Sequence, residues 1–178
     1  LMKVLLKMTM DKLDEVIIRQ VVNKTLVAES SISGPTEAIE LIKNTFGDMD
    51  RELFIIINLN AKNKPLNFNI VAMGTLDAAI IHPREVLKSA ILSNAASIVA
   101  MHNHPSGNLI PSEADMELTG RLSLCSDLVG INFLDHVIFN QEDYYSMRAQ
   151  QRNACFLQVD GNENMNQYEN FIRKSRSL

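Results

Sequence analysis

The run LFIIINLN at residues 53–60 constrains the fold more than any other stretch of this chain. Its apolar residues follow one another without the polar alternation of a half-exposed strand, and three of them are β-branched isoleucines. A short run of this kind is typical of a strand that is buried on both faces. Other elements must therefore cover both sides of the sheet that contains it.

Three amphipathic segments predict the helices that could do so. The first begins at Gly34-Pro35 and ends at Gly47. The second begins at His82-Pro83 and should bury Val86, Leu87, Ala90 and Ile91. The third begins at Ser112, ends at Gly130 and should bury Leu118, Leu122, Cys125 and Val129.

Further strands are predicted between these helices. The segment 66–73 alternates apolar and polar residues, so it should form a half-exposed hairpin partner of 53–60. The other candidate strands are 16–22, 77–81, 96–102, 131–139 and 144–147. Because strands and helices are interleaved, the sequence predicts an α/β fold with a mixed β-sheet flanked by helices. We expect an N-terminal extension (1–33), one domain (34–147) and a polar tail (148–178).

Charge and composition bear on location and partners. The net charge of −4 and the pI of about 5.6 give no overall reason to expect nucleic acid as a partner. The basic end RKSR (173–176) is a local exception that we interpret as a solvated tail. No apolar run is long enough to cross a bilayer, so we expect no membrane contact. The two cysteines, Cys125 and Cys155, do not look like a disulfide framework, so a reducing cytoplasm is the expected compartment. Apolar side chains among the first ten residues could form a homodimer contact.

The segment MHNHPSGNLIPSEAD (101–115) contains the residues most suited to chemistry. His102 and His104 lie two apart at the end of a predicted strand, so both imidazoles should point to the same side. The intervening turn can bring Asp115 back towards them. Two imidazoles and a carboxylate are a good ligand set for zinc, and three protein ligands leave a position open for water.

Other interpretations apply to the parts of this segment. Ser112 and Asp115 also form a helix-capping pattern, and this role can coexist with metal binding. Ser106 fits a turn better than a catalytic role. His82 fits a helix cap, and for His136 a satisfied core histidine is favoured over a group near the site.

The segment HNHPSGNLIPSEAD resembles the His-x-His-x(10)-Asp motif of the JAB/MPN+ (JAMM) metalloproteases, and most closely the RadC branch. DRELF (50–54), MGTLDAAIIHPREV (73–86) and LDHVIF (134–139) resemble RadC segments in the same order. The resemblance covers roughly residues 34–147 and implies a JAB/MPN, cytidine-deaminase-like sandwich. Residues 1–33 are shorter than the helix-hairpin-helix domain of full-length RadC proteins, so we expect a short form without it.

The resemblance also implies roles for particular residues. His102, His104 and Asp115 would bind one Zn²⁺, and Glu52 would accept the proton of the zinc-activated water. Ser112 would stabilise the oxyanion. The residues alone do not select Glu52, since Glu37, Glu40 and Glu85 are equally free carboxylates.

The expected function is that of a zinc-dependent peptidase or isopeptidase acting on a peptide or protein conjugate. One alternative is a RadC-like protein that acts on or near DNA in repair or recombination. Another is a non-catalytic MPN-type scaffold, although such scaffolds typically lose the metal ligands. The identity of the substrate does not follow from the sequence.

Overall fold

The structure is a computed structural model and describes residues 21–23, 25–26, 31–46, 49–74, 81–104 and 106–150. Helices and strands are interleaved along this part of the chain. Their bounds are α1 (Pro35–Phe46), β1 (Glu52–Leu59), β2 (Pro65–Gly74), α2 (Pro83–Leu92), β3 (Ser97–Asn103), α3 (Glu113–Leu128), β4 (Asn132–Phe139), β5 (Tyr144–Ser146) and α4 (Met147–Gln150).

The five strands form one sheet in the order β2-β1-β3-β4-β5. β3 and β4 are parallel, and the other neighbouring pairs are antiparallel. The parallel pair needs a crossover connection, and α3 provides it. The predicted α/β fold with a mixed sheet flanked by helices is therefore confirmed.

β1 lies inside the sheet and is buried on both faces, as its apolar run predicted. Phe54 and Ile56 pack into a core with buried residues of α2 and α3. Leu53, Ile55 and Ile57 point the other way and pack with α1. The two faces of the sheet therefore have different covers, with α2 and α3 on one side and α1 on the other.

Three predicted details are wrong. Ile91 is 56% exposed, because Val86, Leu87 and Ala90 complete the buried face of α2 and its last turn extends beyond it. Val129 is 50% exposed, because α3 has already ended and Val129 is its C-cap. Met147 begins α4 instead of extending β5, because the Ser146 hydroxyl accepts a hydrogen bond from the Ala149 backbone N–H and caps a new helical turn.

Some predictions fall wholly or partly outside the described residues. They include residues 16–20 and 77–80 of the candidate strands and the polar tail beyond residue 150. Val21 and Val22, at the end of the first candidate strand, are exposed and are not in a strand. The domain boundaries at 34 and 147 stay predictions. Among the described residues, no helix is both long enough and apolar enough to cross a membrane.

The contrast between Leu87 and Ile91 can be tested on one helix. Leu87 is 5% exposed, so Leu87→Ala should leave a cavity and cost about 2–5 kcal/mol of unfolding free energy. Ile91→Ala, one turn later, should change the free energy of unfolding by no more than about 0.5 kcal/mol. Urea denaturation of both variants measures the difference. Equal losses would contradict the described packing of α2.

Candidate metal centre

The end of β3 places the two histidines of the motif. His102 pairs with Phe54 of β1, so it faces the side of the sheet that α2 and α3 cover. Its side chain is fully buried. His104 lies just beyond the strand, where its backbone N–H still donates to the Phe139 carbonyl at 3.0 Å. The end of a central strand therefore positions both imidazoles.

The first turn of α3 places Asp115. Ser112 is the N-cap, and its hydroxyl accepts a hydrogen bond from the Asp115 backbone N–H at 3.2 Å. In return, the Asp115 carboxylate accepts hydrogen bonds from the Ser112 backbone N–H at 2.8 Å and from its hydroxyl at 2.6 Å. This capping box fixes the carboxylate at the helix start. The predicted capping pattern is confirmed.

His102, His104 and Asp115 meet at one point. The two Nε2 atoms are 2.9 Å apart, and the Asp115 carboxylate oxygens lie 3.4 Å from His102 Nε2 and 4.0 Å from His104 Nε2. Ligands around a tetrahedral zinc ion at ordinary bond lengths are about 3.3 Å apart. The observed separations bracket that value, so these three residues could hold a metal ion.

The other ring nitrogens of the two histidines also have partners. His104 Nδ1 donates to the Asn108 carbonyl, and His102 Nδ1 lies 2.8 Å from His136 Nε2. Burial, followed by the electrostatic effect of the neighbouring His136, holds the pKa of His102 well below its usual value. His102 is therefore neutral at physiological pH, which is the form that binds metal ions.

His136 was underestimated from the sequence. It is buried as predicted, but its ring contacts His102 directly and lies against Thr119, with His136 Nδ1 2.6 Å from the Thr119 hydroxyl oxygen. Burial above all lowers the pKa of His136 from 6.5 to about 3, so the ring is neutral. Thr119 carried no sequence signal of its own. The LDHVIF resemblance was the only signal that could have directed attention to His136.

Phe54 completes the surroundings of His102. Its ring is nearly parallel to the His102 ring, with centroids 6.1 Å apart, and it meets His136 edge-on at 5.4 Å. Aromatic pairs at such distances stabilise one another modestly beyond the area they bury. Phe54 of β1 therefore limits the movement of both imidazole rings.

Glu52 is the first residue of β1 and is partly buried. Glu52 lies two residues before Phe54, which pairs with His102, so strand alternation directs its side chain to the face of the sheet that carries His102. Asn103 holds the backbone on either side of Glu52. Its side chain accepts a hydrogen bond from the Leu53 backbone N–H at 2.7 Å and donates one to the Arg51 carbonyl at 3.1 Å.

The remaining motif residues have simpler positions. Ser112 is exposed at the start of α3, and Ser106 is exposed in the turn after His104. His82 is the N-cap of α2, as expected, but its side chain makes no capping hydrogen bond with the described residues. The catalytic roles of Glu52 and Ser112 stay predictions.

Comparisons with known proteins show the family of the chain. The profile of a family described as "RadC-like JAB domain" matches residues 32–153. A UPF0758 protein of Finegoldia magna is 47% identical over 118 residues, which are 66% of this chain and 53% of the relative. One of Rubrobacter xylanophilus is 44% identical over 117 residues, 66% of this chain and 51% of the relative. The chain thus spans about half the length of the curated relatives it matches.

The role of Asp115 in metal binding can be tested with a matched pair of variants. Loss of a residue that only supports a metal ligand lowers metal affinity by up to about 100-fold. Asp115→Asn removes a charged ligand itself, so Zn²⁺ affinity should fall by more than about 100-fold. Glu113→Gln removes the same charge from an exposed residue of the same helical turn and should change the affinity little. Competition titration with a chromogenic chelator measures both. A similar affinity for the two variants would exclude Asp115 as a ligand.

Proposed function

The chain belongs to the RadC-like JAB domain family, and on that premise we propose that it is a zinc-dependent hydrolase. Its substrate would be a peptide or a protein conjugate, cleaved at an amide or isopeptide bond. The observation that carries the proposal is the convergence of His102, His104 and Asp115 at one end of the sheet. His102 and Asp115 are buried and His104 is partly buried. Two imidazoles and one carboxylate are a donor set of hydrolytic zinc sites, which keep one position for water.

Zinc held by these residues would supply an acidified water and would polarise the substrate carbonyl. The protein would supply the proton transfers. Glu52 accepts the proton of the attacking water and delivers it to the leaving amine nitrogen. Its place at the start of a buried strand, on the same face as His102, supports this role, because a rigid element restricts where the carboxylate can point.

Ser112 is the candidate group for the oxyanion. It lies next to the site, in direct contact with Asp115. Its hydroxyl has a single hydrogen, which is donated to the Asp115 carboxylate, so it can donate to an oxyanion only after leaving that acceptor. Ser112 would therefore contribute to the transition state through a rotation of its hydroxyl, while its oxygen continues to cap α3.

The role of Glu52 separates a hydrolase from a scaffold. Glu52→Gln keeps the shape of the side chain but cannot take a proton, so hydrolysis should fall by roughly 100- to 10,000-fold. Metal content should not change, because Glu52 is not among the three clustered ligands. The measurement is cleavage of a peptide and isopeptide library by Zn²⁺-loaded protein, with elemental analysis of the same samples.

Glu40→Gln is the control for this experiment. Glu40 is an exposed carboxylate of α1, which covers the opposite face of the sheet. Its replacement should leave cleavage unchanged. Full activity of the Glu52→Gln variant would reject Glu52 as the general base. If the parent protein retained zinc but cleaved no member of the library, a non-catalytic scaffold would be favoured.

A further inference from the structure

A line of buried polar groups runs from His102 into the protein, away from the candidate metal centre. His102 Nδ1 lies 2.8 Å from His136 Nε2, and His136 Nδ1 lies 2.6 Å from the Thr119 hydroxyl oxygen. That hydroxyl lies 2.6 Å from the Asp115 backbone carbonyl oxygen. All three side chains are fully buried, so solvent does not supply alternative partners.

The far end of this line fixes where the hydrogens lie. The Asp115 carbonyl can only accept, so the single hydrogen of the Thr119 hydroxyl must lie between the two oxygens. The sulfur of Met147, at 3.2 Å, is a weaker acceptor for the same hydrogen. With its hydrogen used in this way, the Thr119 oxygen can only accept from His136 Nδ1.

The position of each hydrogen then follows along the line. A neutral imidazole carries one ring hydrogen, and in His136 it is on Nδ1. His136 Nε2 is therefore an acceptor, and the hydrogen between the two histidines belongs to His102 Nδ1. As a consequence, His102 Nε2 carries a free lone pair, and this is the atom that faces His104 and Asp115.

We propose that His136 and Thr119 are positioning residues that hold His102 in its Nδ1-protonated tautomer and so direct its Nε2 lone pair at the metal. The Asn108 carbonyl does the same for His104. The two bare nitrogens, 2.9 Å apart, then both face the position that a metal ion would occupy. Outer partners of this kind orient metal-binding histidines and raise metal affinity.

This inference rests on the metal centre of the proposed function but not on the reaction. It concerns a tautomer that exists before metal binds and an affinity that is measured without substrate. A protein that bound zinc and hydrolysed nothing would leave it intact. A negative result for the tautomer or for zinc affinity can therefore be distinguished from a negative result in the cleavage assay.

The first test is ¹⁵N NMR of the histidine side chains in the full metal-free chain at mildly alkaline pH. Long-range ¹H–¹⁵N correlations distinguish the two neutral tautomers of each ring. His102 and His136 should both carry their hydrogen on Nδ1. A hydrogen on Nε2 of either ring would overturn the proposal without the need for any variant.

The second test compares two replacements of Thr119. Thr119→Val keeps the shape but lacks the hydroxyl, so the tautomer of His136 is no longer fixed, and Zn²⁺ affinity should fall by about 10- to 100-fold. Thr119→Ser keeps the hydroxyl and should retain most of the affinity, together with the Nδ1-protonated His102 signal. Equal affinities in the two variants would overturn the role of Thr119.

The third test concerns the acceptor itself. His136→Leu removes the partner of His102 Nδ1 and should lower Zn²⁺ affinity by a similar factor. His136→Gln offers an amide oxygen near the former Nε2 and should restore part of that affinity. Thermal denaturation of each metal-free variant checks that it folds. If folded His136→Leu bound zinc as tightly as the parent, His136 would be only a core residue.

Discussion

The pairing of β1 with β3 controls the whole site. Because side chains alternate between the faces of a sheet, a slip of one residue would turn His102 towards α1 and remove it from Phe54. A strand that is apolar on both faces specifies its register weakly through hydrophobicity alone. Polar side chains supply what the apolar pattern lacks. Asn58 in β1 donates to Asn67 of β2 at 2.7 Å, and Asn103 in β3 bonds the backbone at the start of β1.

Asn103 links this register to the proposed chemistry. It lies between the two histidines, and its side chain holds the backbone on both sides of Glu52. The short segment of β3 therefore provides two candidate ligands and fixes the strand end that carries the candidate base. The capping box of α3 does the same for the third ligand, since it fixes Asp115 through Ser112. Each proposed group thus lies at the end of a regular element, where backbone geometry restricts the side chain.

The sequence revealed those parts of the site that local periodicity encodes. The two-residue spacing of the histidines predicts that both imidazoles point to the same side. The capping pattern at Ser112 predicts a helix start there, and the run at 53–60 predicts a sheet covered on both faces. The contact of His136 with His102 was not foreseen, because it depends on the parallel pairing of β3 with β4, in which Ala100 lies opposite His136. Thr119 was missed because its place depends on how α3 packs on that pair. No local pattern encodes which residues meet across such a crossover. Glu52 was selected through the family resemblance, because its place at the start of a buried strand does not by itself choose it over the other carboxylates.

The two sides of the candidate metal centre differ in their exposure to solvent. Phe54, His136 and Thr119 are buried behind His102, so the sheet and α3 close that side. The turn that follows His104 is exposed at Ser106, Gly107, Asn108 and Ile110. Of these, Ile110 is 71% exposed. Among the described residues, this turn is therefore the exposed side of the centre. The Asn108 carbonyl lies on that turn and accepts from the ring of His104, so an exposed residue orients one candidate ligand of the metal. A displacement of the turn would change the direction of the His104 imidazole. The position of this exposed turn and the geometry of the candidate metal centre are therefore linked.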